Sequence, residues 1–379
     1  MNKILKEIKA LSGAIEFNYL PKQKRQITFY SEGKNYWPHL EGLLKTTLNK
    51  TDKFICYVSS DLGDPGIKIK HPKLKTFFIG KFLVRNYFFQ NMETDVMVTT
   101  MPDLHQYQLK RSHHNVHYIY VQHSLVSLHS VYRHGAFDYY DTICAAGPHH
   151  VKEIEAIEKK YSLAKKKIIK LGYSRLDNLI KINKKILKYE KKQKQSYKQI
   201  LIAPSWGPNA IIESGFCKNL TEKLLNLGYA VILRPHPQTV KFAKNELREI
   251  HDRYKNNPLF SIEESLEGNE SLLKSDIMIS DWSGAAIEFA LAFDKPVIFC
   301  KVPQKINNIN YKDIQIEPIE VSIRNKIGLI WDGLSPIDNM IKLSIKKNNN
   351  NLSTLKENYC FNLGFSDDVF VEILKKKFS

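Results

Sequence analysis

Short, uninterrupted apolar runs restrict the fold of this sequence more than any other feature. In the first half they include residues 27–30, Val96–Thr99 and Thr142–Ala145, with helix-like stretches between them. A strand that faces solvent on one side alternates polar and apolar residues, whereas these runs show no such alternation. They are typical of parallel strands that helices cover on both faces. The first half therefore predicts an α/β domain.

The same alternation begins again in the second half, after a change in composition at residues 181–198. Eight of those eighteen residues are lysine, which indicates a basic, solvated helix or linker. Strand-like runs follow at residues such as Ala230–Leu233, again separated by helical stretches. We predict two Rossmann-like domains that face each other across a cleft. Their predicted bounds are residues 1–180 and residues 199–379, the second with a C-terminal helix, and the basic linker joins them.

The chain of 379 residues has 57 lysine and arginine residues against 39 acids, a formal charge of +18. So large a surplus indicates an anionic partner: a nucleic acid, a phosphorylated ligand or an acidic lipid surface. The five cysteines form no CxxC pair and have no histidine cluster beside them, so we predict no structural metal site and no disulfide framework. We also expect no cofactor, and a metal requirement of the reaction stays open, since no DxD-like pair is evident. No apolar run is long enough to cross a bilayer or to form a signal-peptide core, which predicts a cytoplasmic protein.

Ligands of parallel α/β sheets bind beyond the carboxyl ends of the strands, so the residues after each run are candidates for a site. His123 follows one buried run, and an imidazole titrates near neutrality, which suits a proton acceptor. Arg234 and His236 follow another run, where Pro235 and Pro237 fix the backbone around the imidazole. The planar guanidinium of Arg234 is suited to a phosphate.

A second set of candidates surrounds the end of the run 276–280. Asp281 follows this run, and a helix begins near Gly284 after Ser283. Free N–H groups at a helix N-terminus attract anions, and the small side chains here let a phosphate approach the backbone. Asp281 is also a residue type that commonly caps a helix. Glu288, one turn into the helix, is placed either to accept hydrogen bonds from ribose hydroxyls or to lie on the surface.

Two further strand ends carry polar residues. Ser205 follows the run 200–204 and is able to donate to a phosphate, while Trp206 is able to stack on a base or to pack. Arg175 follows the last run of the first half, and we expect its guanidinium to face the cleft. The strand ends of both halves therefore predict one anion-binding site between the domains.

At these positions the sequence resembles the CDP-glycerol glycerophosphotransferase family, which includes the teichoic-acid primases and polymerases. The segments that carry the resemblance are Tyr-Val-Gln-His at 120–123, Gly-Ala-Phe-Asp-Tyr-Tyr-Asp at 135–141, Gly-Tyr-Ser-Arg-Leu-Asp at 172–177, Leu-Arg-Pro-His-Pro at 233–237, Ser-Asp-Trp-Ser at 280–283 and Lys-Pro-Val-Ile-Phe at 295–299. The chain departs from the common pattern twice. The family's His-Gly-Thr is His123-Ser124-Leu125 here, and Gly284 replaces the second serine of an Asp-aromatic-Ser-Ser segment, which removes one hydroxyl from the donor site.

The resemblance implies a glycosyltransferase-B architecture in which the C-terminal domain holds most of the donor and the N-terminal domain is the acceptor side. It implies transfer of a polyol phosphate, of the glycerol- or ribitol-phosphate type, from a CDP-activated donor to a hydroxyl of a cell-surface polysaccharide or lipid-linked acceptor, with release of CMP. His123 then corresponds to the proposed base, and His236 to the histidine near the donor phosphates. Ser283 corresponds to the first serine of its segment. The other residues expected to bind the donor are Arg234, Ser205, Asp281, Gly284, Glu288 and Arg175.

Two other functions stay open at the level of sequence. The same residues would hold the nucleotide of a glycosyltransferase that uses a CMP- or UDP-sugar to make a surface polysaccharide. A basic, non-catalytic nucleic-acid-binding module would also explain the charge. However, the positive residues are spread widely, and no RNP, helix-turn-helix or zinc signature is present. We therefore expect a CDP-linked donor and a hydroxyl acceptor as partners, and no nucleic acid.

The N-terminal segment adds an apolar stripe. At helical spacing its large aliphatic residues fall on one face, with lysines elsewhere. These residues are Ile4, Leu5, Ile8, Leu11 and Ile15. Such a helix either lies in the plane of an anionic membrane or docks on the protein's own core. Because each lysine or arginine near an anionic membrane contributes about 1 kcal/mol of attraction, we predict peripheral association with the inner face of the cell membrane.

Overall fold

The computed structural model describes residues 3–107, 109–189, 198–263, 268–347 and 352–378. Within these residues the strands form two parallel sheets, one in each half of the chain, and helices cover them. The apolar runs of the sequence are the buried centres of these strands, which explains why they lack polar alternation. The predicted pair of α/β halves is therefore present.

The first sheet has the strand order β3-β2-β1-β4-β5-β6-β7. Its strands are β1 (Ile27–Ser31), β2 (Ile55–Ser59), β3 (Leu74–Phe78), β4 (Val96–Thr99), β5 (His117–Val121), β6 (Thr142–Ala145) and β7 (Lys167–Lys170). Its helices are α1 (Lys3–Asn18), α2 (Trp37–Lys50), α3 (Leu83–Asn91), α4 (Leu128–Val131), α5 (Pro148–Lys160) and α6 (Ser174–Tyr189). The strand order reverses between β1 and β4, which opens a crevice at their carboxyl ends.

The second sheet has the strand order β10-β9-β8-β11-β12-β13. Its strands are β8 (Gln199–Ile202), β9 (Ala230–Leu233), β10 (Phe260–Ile262), β11 (Ile277–Ser280), β12 (Val297–Cys300) and β13 (Gly328–Trp331). The helices that follow β8 in the chain are α7 (Phe216–Asn226), α8 (Pro237–Phe242), α9 (Lys244–Tyr254), α10 (Glu270–Lys274), α11 (Gly284–Phe293), α12 (Ile319–Ser322), α13 (Arg324–Ile327), α14 (Ile337–Lys347), α15 (Leu352–Tyr359) and α16 (Ser366–Phe378). Here the order reverses between β8 and β11, at the strand ends that carry Ser205 and Asp281.

The two halves share a hydrophobic core around α11. This helix is almost wholly apolar and buried, as a helix covered on all sides must be. One cluster joins Phe289 and Ala290 of α11 to Leu125, Tyr173 and Leu176 of the first half. The residues just before α11 are therefore held against the first half.

The structure differs from the sequence predictions in one helix, and it adds detail at the basic segment and at the C-terminal helix. The helix predicted over residues 240–254 is two helices, α8 and α9, with a break at Ala243. The basic segment 181–198 begins as the second half of α6, and residues 190–197 lie outside the described residues. The final helix, assigned to the second domain, packs against α2 of the first half, with the rings of Phe370 and Phe29 6.0 Å apart. The domain bounds themselves stay a prediction.

Helix α1 turns its small residues and Phe17 toward the protein. Gly13 is needed on this face because a side chain would overlap with the carbonyl oxygen of Phe78. The predicted aliphatic stripe, from Ile4 to Ile15, is instead 45–67% exposed. Docking of this stripe on the protein's own core is therefore wrong. None of the described helices is both long enough and apolar enough to cross a lipid bilayer.

Candidate active site

Asp281 follows β11 at the point where the second sheet reverses its strand order. Its carboxylate accepts hydrogen bonds from the backbone N–H groups of Ser205 and Trp282, both at 2.6 Å, and of Ile211 at 3.1 Å. The side chain is buried. Both carboxylate oxygens are thus engaged in holding the loop that begins at Ser205. This arrangement makes Asp281 a residue that positions the predicted donor site, and it does not cap α11.

The helix cap is Ser283, whose hydroxyl accepts from the N–H of Ala285 at 3.3 Å. The next residue, Gly284, faces the loop that follows β5 in the first half. A side chain at this position would overlap with the hydroxyl of Ser124 and crowd a methyl group of Val126. Glycine at 284 therefore lets the N-terminus of α11 contact the loop that carries His123.

His123 lies in a pocket of aromatic side chains. The Tyr120 hydroxyl is 3.1 Å from its Nδ1 atom, and the Tyr132 hydroxyl is 3.3 Å from its Nε2 atom. The rings of Tyr36 and His39 lie 5.7 and 6.0 Å from the imidazole. Burial lowers the pKa of His123 to about 4, because the pocket disfavours the charged form. The imidazole is consequently neutral at physiological pH and able to accept a proton.

His236 comes between β9 and α8, where it caps the helix. Its Nδ1 atom accepts from the N–H of Gln238 at 3.1 Å, so the proton of the neutral ring resides on Nε2. The ring stacks on Trp206, with centroids 6.0 Å apart and planes 29° apart. Burial lowers the pKa of His236 to about 3, and the charges of Lys305 and His123 lower it further. The His236 imidazole is consequently neutral at physiological pH.

Lys305 supplies a cation that the sequence analysis missed. Its ammonium lies 4.3 Å from the centre of the Trp206 ring, the same ring that stacks on His236. Burial lowers the pKa of Lys305 to about 8, and the carboxylates of Asp281 and Glu213 oppose that shift. The residue follows β12 in a polar segment without a motif, so no sequence signal marked it.

Arg234 is buried and bound to the protein itself. Its two terminal nitrogens donate to the Ser271 hydroxyl at 3.1 Å and to the Gly268 carbonyl at 3.0 Å, and Glu263 is 3.8 Å away. The guanidinium thus holds the segment before α10 against the end of β9. A phosphate contact from Arg234 stays a prediction, whereas Lys305 is a cation that lies against the same Trp206 ring as His236.

Arg175 and Glu288 bind each other across the two halves. The Nε atom of Arg175 donates to a Glu288 carboxylate oxygen at 2.8 Å, and the Tyr173 hydroxyl donates to the other oxygen at 2.8 Å. The Tyr173 hydroxyl is also 3.0 Å from Nδ1 of His39, which lies beside His123. Both carboxylate oxygens of Glu288 therefore accept hydrogen bonds from residues of the first half, and this side chain links α11 to α6.

The arrangement combines three elements that suit transfer of a phosphoryl group. The neutral imidazole of the first half lies in the loop that contacts the N-terminus of α11, and in the second half a neutral imidazole and a cation both lie against Trp206. A helix N-terminus and a cation stabilise phosphate charge, and a neutral imidazole accepts a proton. The geometry therefore brings a candidate base close to a candidate anion site.

Comparison with known proteins gives a family match. The sequence model of the family described as CDP-glycerol:poly(glycerophosphate) glycerophosphotransferase matches residues 20–306, about three quarters of the chain. This range includes His123, His236, Ser283 and Lys305. A search of curated protein sequences gave no significant match.

Similar solved structures share the fold. The wall teichoic acid polymerase TagF matches with a TM-score of 0.62 at 13% identity, covering 99% of this chain and 97% of that one. A second TagF structure, from a soak with CDPG, has a TM-score of 0.61 at 15% identity, and the match covers 99% of this chain and 98% of that one. The UDP-GlcNAc 2-epimerase of Methanocaldococcus jannaschii, in complex with UDP-GlcNAc and UDP, has a TM-score of 0.56 at 13% identity. The match covers 92% of this chain and 99% of that one. These similarities confirm the predicted glycosyltransferase-B architecture.

Proposed function

The chain belongs to the CDP-glycerol:poly(glycerophosphate) glycerophosphotransferase family, and on that premise we propose that it transfers a polyol phosphate from a CDP-linked donor to a hydroxyl acceptor. The donor group is of the glycerol- or ribitol-phosphate type, and CMP is released. The acceptor is a cell-surface polysaccharide or a lipid-linked molecule. One observation carries the proposal: the loop with His123 contacts the start of α11, so a base and an anion site from different halves meet.

The donor pyrophosphate lies at the N-terminus of α11 in this mechanism. The backbone N–H groups after Ser283 and the ammonium of Lys305 stabilise its negative charge. His236 donates from Nε2 to a phosphate oxygen as a neutral group, because its pKa is far below physiological pH. Trp206 lies beside both His236 and Lys305 and limits the access of water to them. The cytidine then extends toward the carboxyl ends of β8 and β11.

His123 acts as the general base. It accepts the proton of the acceptor hydroxyl, whose oxygen forms a bond to the phosphorus that carries the polyol. The bond between that phosphorus and the bridging oxygen breaks, and the oxygen leaves with CMP. The hydroxyl of Tyr132, 3.3 Å from Nε2, marks where the acceptor hydroxyl approaches. Negative charge on the bound donor raises the pKa of His123 from its low value, which strengthens the base.

Replacement of His123 tests this assignment. We expect His123→Ala to lower kcat by about 10²–10⁴-fold, because general base assistance contributes that much. Donor affinity, measured by calorimetry with CDP, should change less than twofold. His251→Ala serves as a control, since His251 is exposed on α9 and away from the site. Turnover of His123→Ala within a few-fold of the parent enzyme contradicts the assignment.

The donor is identified by a panel of CDP-, CMP- and UDP-linked compounds. Release of CMP from CDP-glycerol or CDP-ribitol, with product on an acceptor, is the expected result. Release of nucleotide only from a CMP- or UDP-sugar would instead identify a glycosyltransferase on the same fold. The panel therefore separates the proposed reaction from its main alternative.

The location follows from the surface of α1. Helix α1, which carries the exposed aliphatic stripe, packs beside α3, and exposed side chains also occur at Leu83 and Tyr87 of α3 and at Phe82 just before it. An exposed apolar surface of this kind, on a protein with a formal charge of +18, fits an anionic membrane. We propose that the enzyme lies peripherally on the inner, cytoplasmic face of the cell membrane, where a lipid-linked acceptor is available.

A further inference from the structure

The first sheet has a crevice of its own, where the strand order reverses between β1 and β4. The first residues after β1, β4 and β5 are Glu32, Thr100 and Gln122. Because these three strands are neighbours in parallel register, the residues that follow them lie at the same edge of the sheet. Crevices of this type are where parallel sheets bind ligands.

Polar atoms in this crevice lack partners within the described protein. They are Oε2 of Glu32, Oγ1 of Thr100, and both the oxygen and the nitrogen of the Gln122 amide. Thr100 is fully buried, and Gln122 is only 4% exposed. A buried polar atom without a hydrogen bond costs about 1–3 kcal/mol, so such atoms are rare unless they serve a function. Their concentration at three adjacent strand ends points to a ligand that supplies the missing partners.

The unpartnered atoms define the chemistry of that ligand. Oxygens outnumber nitrogens: Glu32, Thr100, Gln122 and Asp103 each have one such oxygen, whereas the nitrogens are those of Gln122 and Arg85. Arg85 and Asp103 belong to the same group, since the charges of both act on the Glu32 carboxyl. Carboxyl oxygens repel a phosphate but accept hydrogen bonds from hydroxyls. Hydroxyls also accept from nitrogens, so a polyol satisfies both kinds of atom.

The crevice adjoins the candidate base. Gln122 directly precedes His123 in the chain, and the ring of Tyr36 is 5.7 Å from the His123 ring. Tyr36 is also next to Glu32, whose negative charge is the largest cause of the raised pKa of Tyr36. A hydroxylated group bound by Glu32 and Gln122 would therefore present a hydroxyl to His123.

We propose that this crevice binds the hydroxyl-bearing end of the acceptor, a neutral polyol unit, through Glu32, Thr100 and Gln122. The proposal rests on the function proposed above and adds the part of the first half that recognises the acceptor. The charges of Arg85 and Lys81 oppose those of Glu32 and Asp103, so the crevice is close to neutral and suits an uncharged polyol unit.

Two conservative variants test it. Thr100→Val removes an unpartnered hydroxyl at nearly constant shape, and Glu32→Gln removes the charge. With a synthetic tri(glycerol phosphate) as the acceptor probe, we expect the KM for the probe to rise about tenfold or more. The Kd for CDP should stay within twofold, and Thr100→Val should melt at or above the temperature of the parent, since it loses a buried polar atom without a partner. Glu155→Gln, exposed on α5, is the control.

The outcomes separate this proposal from the proposed function. A KM for the probe within twofold of the parent in both variants overturns the crevice, even if CMP is released normally. If the parent releases no CMP from any donor, the proposed function fails. Saturation-transfer NMR with the same probe, which detects binding without turnover, then tests the crevice by itself. A probe signal that the parent shows and Glu32→Gln loses supports the crevice. Equal signals, or no signal with the parent, overturn it.

Discussion

Burial sets the charge state of the individual side chains around the site. It lowers the pKa of His123 to about 4 and of His236 to about 3, so both imidazoles are neutral at physiological pH. It lowers the pKa of Lys305 to about 8, which leaves this ammonium charged below that pH. The site therefore has two neutral rings and one titratable cation.

We expect the affinity for the donor to fall at alkaline pH, where Lys305 loses its proton. Above pH 8 the lysine loses its proton and with it the attraction for phosphate, so the affinity for CDP should fall about tenfold per pH unit. Lys305→Arg should hold the affinity constant to above pH 9, because a guanidinium stays charged. Calorimetric titration with CDP from pH 6.5 to 9.5 measures both.

Lys301→Arg is the matched control, since Lys301 is exposed in the same segment after β12. The CDP affinity of this variant should fall above pH 8 as that of the parent protein does. A parent affinity that is constant between pH 7 and pH 9 would show that Lys305 does not contact the nucleotide.

At the scale of elements, α1 is the helix with the clearest separate role. Ile8 and Leu11 are 58% and 47% exposed, so their replacement leaves the core intact. Ile8→Glu with Leu11→Glu should lower binding to phosphatidylglycerol vesicles at least tenfold, because apolar contact is lost and two negative charges are added. Co-sedimentation at low salt measures the bound fraction.

The control for this variant adds the same two negative charges to a different part of the surface. Ile309 and Leu334 are each 89% exposed in the second half, and Ile309→Glu with Leu334→Glu should bind vesicles nearly as the parent does. Equal loss of binding in both double variants would mean that net charge alone governs the association, which excludes α1 as the membrane surface.

The sequence predicted the elements better than the contacts between them. Apolar runs mark strands because the buried strand interior excludes polar side chains, as in β4 and β6. The pattern of apolar runs does not show that the Asp281 carboxylate accepts hydrogen bonds from backbone N–H groups, or that Arg175 and Glu288 bind each other. Lys305 and His236 lie against the same Trp206 ring only because of how the chain packs after β12. Side chains brought together by tertiary packing leave no local pattern in the sequence.

At the scale of the molecule, the pair of Arg175 and Glu288 joins the halves. Glu288→Gln keeps a hydrogen-bonding group for Tyr173 but leaves the buried guanidinium without a counter-charge. We expect the free energy of unfolding to fall by about 3–5 kcal/mol. Denaturant titration followed by tryptophan fluorescence measures this change.

Glu372→Gln is the control, because Glu372 pairs with Lys375 on the surface of α16 and both side chains are exposed. Exposed pairs of this kind contribute less than about 1 kcal/mol. Replacing both Arg175 and Glu288 by methionine should recover most of the loss, since no buried charge is then unpaired. A loss below 1 kcal/mol in Glu288→Gln would mean that water reaches Arg175 and that the pair does not join the halves.

The path of the chain also bears on how the two halves move. The polypeptide leaves the first half after α6, forms the second sheet, and returns to pack α16 against α2. These two crossings, the shared core around α11 and the buried pair of Arg175 and Glu288 restrain the second half at several separate places. We therefore expect only small rotations of one half against the other when the nucleotide binds and leaves.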